Sequence, residues 1–243
     1  MDSFMTDLVE QNIIRIRQEI AEAALRSGRN PDSVRLMAVT KTVDDDRIRE
    51  ALAAGIRLIG ENYVQEAQRK IPLLGEGLEW HMIGHLQTNK SKYAVHLFHM
   101  IQSVDRIELA RELDKRCAAA GLVMPVLIEV NTGDEASKSG VAPEGTLGLV
   151  EAVAECGNLK IRGLMTMPPW FPDPEEARPF FRTLRELQNR ILDRAIPGVD
   201  MTELSMGMSD DFTVAVEEGA TIVRIGRAIF GQRPPKISSG ENR

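Results

Sequence analysis

The spacing of hydrophobic and polar positions changes along the chain, and this change predicts where helices and strands lie. From residue 2 to residue 28 the apolar positions recur at about 3.6 residues, which is typical of an amphipathic helix. The stretch SGRNP predicts the end of that helix, because glycine and proline terminate helices. The apolar positions expected on its buried face are Leu8, Ile13, Ile16, Ile20 and Ala24.

After this helix, short apolar runs alternate with longer segments of helical spacing. The short runs have the length of buried strands. Between them lie helical patterns such as DDDRIREALAAG, DRIELARELDKRCAAAG and EEARPFFRTLRELQNRILDRA. The predicted strands are residues 36–40, 57–61, 80–84, 98–104, 125–130, 160–166, 203–206 and 221–226.

The alternation of strands and helices decides the expected fold class. Repeated strand–helix units form a parallel sheet. Because the strands number eight and no change of composition indicates a linker, we expect a single (β/α)8 barrel of the TIM type over residues 1–233, with an extra N-terminal helix. An open, doubly wound sheet is the alternative. Residues 234–243, PPKISSGENR, are expected to form a disordered tail.

Composition and charge narrow the classes of function. The chain has 243 residues, of which 43% are hydrophobic and 27% charged, as in ordinary globular proteins. A net charge of -6 argues against a nucleic-acid-binding surface. No apolar run reaches the roughly 18 residues of a membrane span, and the N-terminus lacks the apolar core of a secretory signal. We therefore expect a cytoplasmic, monomeric protein that binds neither nucleic acid nor membranes.

Residues that follow the predicted strands are the candidates for chemistry, because barrels of this class place their active sites at the carboxyl ends of the strands. The first strand, in AVTKT, is followed by Lys41. An ammonium group at the edge of an apolar barrel mouth is partly desolvated, and desolvation favours the neutral, nucleophilic amine. An ordinary solvated surface lysine is the alternative.

The last two strand ends predict a phosphate site. LSMGMSDDF and IVRIGRAIFG place Gly207 and Gly226 in the loops after strands seven and eight, with Ser209 and Asp210 as expected caps of the next helix. Barrels of this class often bind phosphate between these loops. The alternative is that Gly207 and Gly226 are ordinary turn glycines without a binding role. Strands one and eight are neighbours in a closed barrel, so Lys41 would lie beside this site. An aldehyde with a phosphate group fits both features, and pyridoxal 5′-phosphate (PLP) is such a molecule.

Arg224, near the end of the last predicted strand, has two candidate roles. Arginine only donates hydrogen bonds, so an arginine that faces the pyridine nitrogen of PLP keeps that nitrogen unprotonated and the ring a weak electron sink. Direct contact with the phosphate is the other role. The sequence leaves both open.

Several motifs together resemble the pyridoxal-phosphate homeostasis proteins. The motifs are AVTKT, IGENYVQEA, WHMIGHLQTNK, NTGDEASKSGV, IRGLMTM, LSMGMSDDF and VRIGRAIFG, and the resemblance extends from the first helix to about Gly231. That family is similar to the N-terminal barrel of alanine racemase and of ornithine decarboxylase.

The resemblance implies a set of cofactor-binding residues. Lys41 would carry PLP as an internal aldimine, and Arg224 would lie near the pyridine nitrogen. Ser205, with the backbone around Gly207, would hold the phosphate. The full implied set is Lys41, Asn62, His85, Met165, Ser205, Met206, Gly207, Arg224, Gly226 and Arg227.

The resemblance also implies a carrier of PLP rather than an enzyme. The related racemases use a tyrosine base from a second domain, and we expect this chain to lack that domain. Its tyrosines, Tyr63 and Tyr93, follow predicted strands two and three. We expect storage and delivery of PLP without catalytic turnover, with apo PLP-dependent enzymes as partners; a weak racemase or a Schiff-base aldolase is the alternative. Lys138 is expected to be a solvated loop residue or else a second aldehyde-reactive lysine, and no motif predicts a metal site.

Overall fold

The computed structural model describes residues 3–133, 135 and 139–232, with side chains described from Leu8 onward. Lys138 and the tail predicted for residues 234–243 lie outside the described residues. The strands are β1 (Arg35–Val39), β2 (Leu58–Glu61), β3 (Glu79–Met82), β4 (Met100–Val104), β5 (Met124–Glu129), β6 (Leu159–Met165), β7 (Val199–Ser205) and β8 (Ile222–Ile225). The helices are α1 (Ser3–Arg26), α2 (Asp45–Ala53), α3 (Val64–Leu74), α4 (Ser91–Leu97), α5 (Ile107–Ala120), α6 (Thr146–Ala154), α7 (Arg178–Leu192), α8 (Phe212–Glu217) and α9 (Arg227–Phe230).

The strands β1 to β8 form one closed, parallel barrel in chain order. Met37 in β1 lies opposite Leu58 in β2 on one side and opposite Arg224 in β8 on the other, and this second pairing closes the barrel. A helix follows every strand and lies outside the sheet. The prediction of a (β/α)8 barrel with an extra N-terminal helix is confirmed, and each predicted strand overlaps one observed strand.

The first helix, α1, packs on the outside of the barrel against α2 and α8. Val9, Ile13, Ile16 and Ile20 are buried in it at spacings of three and four residues. Leu8 is 50% exposed, contrary to the sequence pattern, because it lies one position off this buried stripe. No helix in the part of the chain that the structure describes is both long and apolar enough to cross a membrane.

Packed side chains fill the interior of the barrel. Successive residues of a strand face opposite sides, so Met37 and Val39 of β1 point inward, where they form a cluster with Leu58. Gly60 lies in the same layer, and a Cβ atom at this position would come within 2.6 Å of Met37 Sδ. A ligand therefore reaches this barrel from the ends of the strands rather than through its centre.

Candidate functional site

The turn after β1 holds Lys41 at the carboxyl end of the barrel. Thr40 N donates to Gly60 O at 3.1 Å, which extends the pairing of β1 with β2 by one residue. Thr42 has a φ of 59°, in the left-handed region, and there the chain turns away from the strand direction. The half-buried side chain of Lys41 lines a cavity at this end of the barrel.

This cavity has a volume of about 280 Å³ and is built from the ends of strands and the loops after β1, β2, β3, β6, β7 and β8. Its walls combine basic, polar and apolar groups. A primary amine, two guanidinium groups and a hydroxyl face a small space with apolar walls, and this combination fits a small ligand with an anionic group and an apolar body. The lining residues with polar side chains are Lys41, Asn62, Ser209, Asp210, Arg224 and Arg227.

Arg224 lies at the base of the cavity and is only 3% exposed. Its Nη1 donates to Ser205 Oγ and its Nη2 donates to Thr166 O, both at 2.8 Å. Burial lowers the pKa of Arg224 to about 10, and the charges of nearby Asp211 and Glu129 act against this shift. The guanidinium is therefore protonated at neutral pH and is held in one orientation.

Ser205 begins a chain of hydrogen bonds that runs through the barrel interior, away from the cavity. Ser205 Oγ donates to Gln102 Oε1 at 2.6 Å, and Gln102 Nε2 donates to His81 Nδ1 at 2.8 Å. His81 Nε2 donates to Glu79 Oε1 at 2.7 Å. Burial lowers the pKa of His81, so the ring is neutral and the carboxylate keeps its proton on Nε2. The His81 hydrogen bond lowers the pKa of Glu79 to about 2. Every bond thus donates in the same direction, from the Arg224 cation toward the Glu79 anion.

The serine that ends β7, Ser205, and the serine in the following loop, Ser209, have different surroundings. Ser205 is fully buried, and its single hydroxyl proton is donated to Gln102. Ser209 lines the cavity, and its Oγ accepts from Ala228 N, near the start of α9, at 3.1 Å. Ser209 is therefore the serine that a ligand in the cavity would meet.

The expected helix caps in this loop differ from the observed contacts. The α8 helix begins at Phe212, after Asp211 rather than after Ser209 or Asp210. Asp211 Oδ1 accepts from Met208 N at 2.6 Å and so closes the loop on itself. Ser209 and Asp210 are thereby left on the cavity wall. The prediction that Ser209 and Asp210 cap this helix is therefore wrong.

The structure brings together half of the predicted cofactor-binding residues. Met165 is buried one level below the cavity, beside Met167, which lines it. Met206 packs in the core between the sheet and the helices, and Gly207, with a φ of 93°, packs against Ala215 of α8. The predicted residues on the cavity wall are Lys41, Asn62, Arg224, Gly226 and Arg227.

His85 lies beside this cavity rather than in it. Its Nδ1 is 3.2 Å from Ser139 Oγ and 3.7 Å from Asp105 Oδ2, and its side chain is 49% exposed. It lines a neighbouring cavity of about 340 Å³ that shares Asn62 with the first. Asn62 lines both cavities. Its Oδ1 is buried and accepts no hydrogen bond from the described residues, so this oxygen could accept one from a ligand.

Three side chains form a rim at the mouth of the Lys41 cavity. Trp170 is 69% exposed, and its Nε1 donates to Asp210 Oδ2 at 3.1 Å. Arg227 forms an ion pair with the same carboxylate. At the edge of the cavity, the guanidinium of Arg227 is thus already paired with an anion, the carboxylate of Asp210.

A larger cavity, of about 510 Å³, lies at the opposite end of the barrel near Arg35 and Glu79. Arg35 bonds to Glu79 and to Glu203 there, so its charge is balanced within the protein. Because barrels of this class carry their chemistry at the carboxyl ends of the strands, the cavity beside Lys41 is the candidate site.

Comparison with known proteins shows the family to which this chain is related. The family model described as "Alanine racemase, N-terminal domain" matches residues 12–234. A pyridoxal phosphate homeostasis protein of Aquifex aeolicus is 47% identical over 224 residues, which are 92% of this chain and 97% of that protein. The crystal structure of an unknown protein from Bifidobacterium adolescentis is 36% identical, with a TM-score of 0.90 over 95% of this chain and 97% of that one. PipY of Synechococcus elongatus, solved with PLP bound, is 38% identical, with a TM-score of 0.76 over 87% of this chain and 100% of that one.

Proposed function

This chain belongs to the alanine racemase N-terminal domain family and, within it, to the pyridoxal phosphate homeostasis proteins, and we propose that it binds PLP covalently at Lys41 and keeps it available to other proteins. The observation that carries this proposal is the placement of Lys41, Ser209 and Arg227 on the walls of one small cavity. An amine for the aldehyde and two donors for the phosphate are the groups that PLP needs. PipY, which has been solved with PLP bound, supports the choice of cofactor.

The chemistry that PLP supplies is an aldehyde. A primary amine adds to the aldehyde carbon, the oxygen leaves as one molecule of water, and a carbon–nitrogen double bond forms without oxidation or reduction. In this chain the amine is that of Lys41. The fixed turn after β1 places it at the mouth of the barrel, where the apolar Val39 and Ile83 reduce its contact with water.

We assign the phosphate to Arg227, Ser209 and the backbone at Gly226, and the ring nitrogen to Arg224. The side chain of Arg227 is 49% exposed and can follow a charged group at the cavity edge. Arg224 is buried and anchored by two hydrogen bonds, which suits a fixed contact with the ring. Because arginine cannot accept a proton at neutral pH, the ring nitrogen stays unprotonated and the ring withdraws electrons weakly. This arrangement favours holding PLP over carbanion chemistry.

The positions of the tyrosines also favour a carrier. Racemisation by two bases needs a second proton-transfer group on the face of the cofactor opposite the lysine. Tyr63 is 55% exposed and Tyr93 is 40% exposed, and neither of these two described residues lies on the wall of the Lys41 cavity. A protein that only carries PLP must release it to other proteins. We therefore propose that apo PLP-dependent enzymes receive the PLP.

The proposal is tested by attachment of PLP to the purified protein. The parent, Lys41→Ala and Lys90→Ala are incubated with PLP, scanned for visible absorbance, reduced with borohydride and analysed by peptide mass spectrometry. Lys90 lines the neighbouring cavity and serves as the matched control. We expect modification of Lys41 in the parent and in Lys90→Ala, and a colourless but folded Lys41→Ala. Attachment at another lysine, or racemisation of amino acids well above the rate with free PLP, would contradict the proposal.

A further inference from the structure

Lys70 in α3 is fully buried, which is rare for a lysine. Its Nζ donates to Glu61 Oε1 at 2.6 Å, to Glu66 Oε2 at 2.7 Å and to Thr40 O at 2.6 Å. An ammonium group has three protons, so these bonds use its whole donor capacity. Lys70 lies outside the walls of the Lys41 cavity, and nothing in the proposed binding of PLP explains its burial.

The partners of this ammonium group hold both neighbours of Lys41. On one side, Thr40 O accepts from it directly, and Thr40 Oγ1 donates to Glu61 Oε1 at 2.6 Å. On the other side, Thr42 N donates to Glu66 Oε2 at 2.9 Å. The residues before and after Lys41 are therefore tied to one buried cation, either directly or through a single carboxylate.

The conformation of Thr42 requires such support. Its φ of 59° lies in the left-handed region, where a β-branched residue is strained. Strained backbone persists when surrounding contacts hold it and is found at functional sites. The bond from Thr42 to Glu66 is a contact of this kind, and it orders the turn on which Lys41 stands.

Stability alone does not explain these charges. The desolvation of buried ionic groups offsets most of their attraction, and apolar residues of similar volume often stabilise as well or better. Burial raises the pKa of Glu61 against the opposing hydrogen bonds from Lys70 and Thr40. Glu61 Oε2 is also buried without a hydrogen-bond partner among the described residues. Filling this space with Lys70 and Glu61 therefore stabilises the fold less than apolar side chains would, but their hydrogen bonds can fix the turn at residues 40–42.

We propose that Lys70, together with Glu61 and Glu66, is a positioning group that fixes the turn at residues 40–42 and so directs the amine of Lys41 into the cavity. This inference rests on the proposed function, because the direction of the amine matters only when it reacts with a bound aldehyde. Small displacements of a reacting group cost about 10- to 100-fold in reaction efficiency.

The test uses variants that separate positioning from folding. Lys70→Met alone leaves buried carboxyl groups without their cation, so it is expected to unfold at lower urea concentration. The double variant Glu61→Gln with Lys70→Met removes the fully buried pair of charges and keeps an acceptor for Thr40 Oγ1, while the carboxylate of Glu66, whose side chain is 25% exposed, remains without the Lys70 cation. Thr40 O keeps the bond from Val43 N at 3.0 Å. The control is Lys92→Met, an exposed lysine on α4.

Three quantities are measured: the urea midpoint and the amide exchange of Thr42 without ligand, and the rate of PLP attachment. For the double variant we expect a urea midpoint close to that of the parent, Thr42 exchange at least about tenfold faster, and attachment about 10- to 100-fold slower. Lys92→Met should match the parent in all three.

Two results would overturn the inference: parent-like exchange and attachment in the double variant, or an attachment rate that falls only in proportion to the fraction unfolded. If the parent itself fails to attach PLP, the proposed function fails instead. Thr42 exchange in the ligand-free protein then decides the inference separately, because unchanged protection in the double variant shows that Lys70 does not fix the turn.

Discussion

The hydrogen bonds below the cavity predict that Ser205→Ala weakens the fold even when no ligand is bound. Ser205 Oγ accepts from Arg224 Nη1 and donates to Gln102 Oε1, and all three side chains are buried. Alanine would remove both bonds and would leave a guanidinium N–H and an amide oxygen without these partners. A serine whose hydroxyl served only to bind phosphate would show no such effect in the ligand-free protein.

The size of the effect follows from the two bonds that are lost. A hydrogen bond to a charged group contributes about 1.5–3 kcal/mol to stability, and one between neutral groups about 0.5–1.5 kcal/mol. Ser205 has no exposed surface, so water does not readily replace the hydroxyl. We expect Ser205→Ala to lower the free energy of unfolding by about 2–4 kcal/mol.

The assay is denaturant unfolding of the ligand-free protein, followed by circular dichroism. Ser103→Ala is the matched control, because Ser103 is also fully buried in a barrel strand but its hydroxyl has no partner among the described residues. We expect Ser103→Ala to be nearly neutral. Ser209→Ala should affect binding rather than folding: we expect little change in stability and a PLP affinity that is weaker by about 0.5–1.5 kcal/mol.

Equal midpoints for Ser205→Ala and Ser103→Ala would refute this reasoning. If Ser205→Ala instead kept its stability and lost affinity for PLP, the expectation drawn from the sequence, that Ser205 holds the phosphate, would be supported in place of Ser209.

Three further predictions concern the rim, a buried carboxyl group and the barrel interior. Asp210→Asn releases Arg227 from its carboxylate partner, so PLP should be retained about two- to fivefold more tightly in equilibrium dialysis, and weaker retention would contradict this. Burial raises the pKa of Glu129 from 4.5 to about 7, so the native state binds this proton more tightly than the unfolded chain, and stability is lost as the pH rises from 4.5 through 7. Glu129→Gln should therefore raise stability by about 1–3 kcal/mol at pH 8 and have little effect near pH 4.5; equal effects at both values would refute the assignment. Gly60→Ala would bring a methyl group within 2.6 Å of Met37 Sδ, and we expect a loss of about 1–3 kcal/mol in thermal or chemical unfolding, whereas a neutral result would show that the layer adapts.

Local patterns in the sequence were sufficient to predict the fold class and the place of Lys41 at the end of the first strand. Helical spacing and short apolar runs are local properties, and eight strands in alternation with helices have few ways to bury their apolar faces other than a barrel. Because the strands are parallel and barrels carry their sites at the carboxyl ends, the strand boundaries predicted that Lys41 and Gly226 lie close together, whereas Arg227 was expected only from the family resemblance; all three line one cavity.

Which of two neighbouring side chains lines the cavity depends on contacts that form only in the folded barrel. Ser205 and Ser209 lie in one short sequence motif, and no pattern distinguishes them, yet the first ends β7 and is buried beside Arg224, whereas the second lines the cavity. His85 was expected in the cavity beside Lys41. Because β3 ends at Met82, His85 lies three residues beyond the strand and lines the adjoining cavity instead.

The hydrogen-bond partners of the buried polar groups could not be predicted from the sequence either, because the partners are far apart in the chain. Within its helix, Lys70 has the sequence surroundings of a surface lysine, and its burial depends on Thr40, thirty residues away in the chain. The link from Ser205 to Gln102 spans 103 residues. Spacing along a sequence encodes the direction of a side chain relative to its own helix or strand, whereas a hydrogen-bond partner from another strand comes within reach only when the barrel closes.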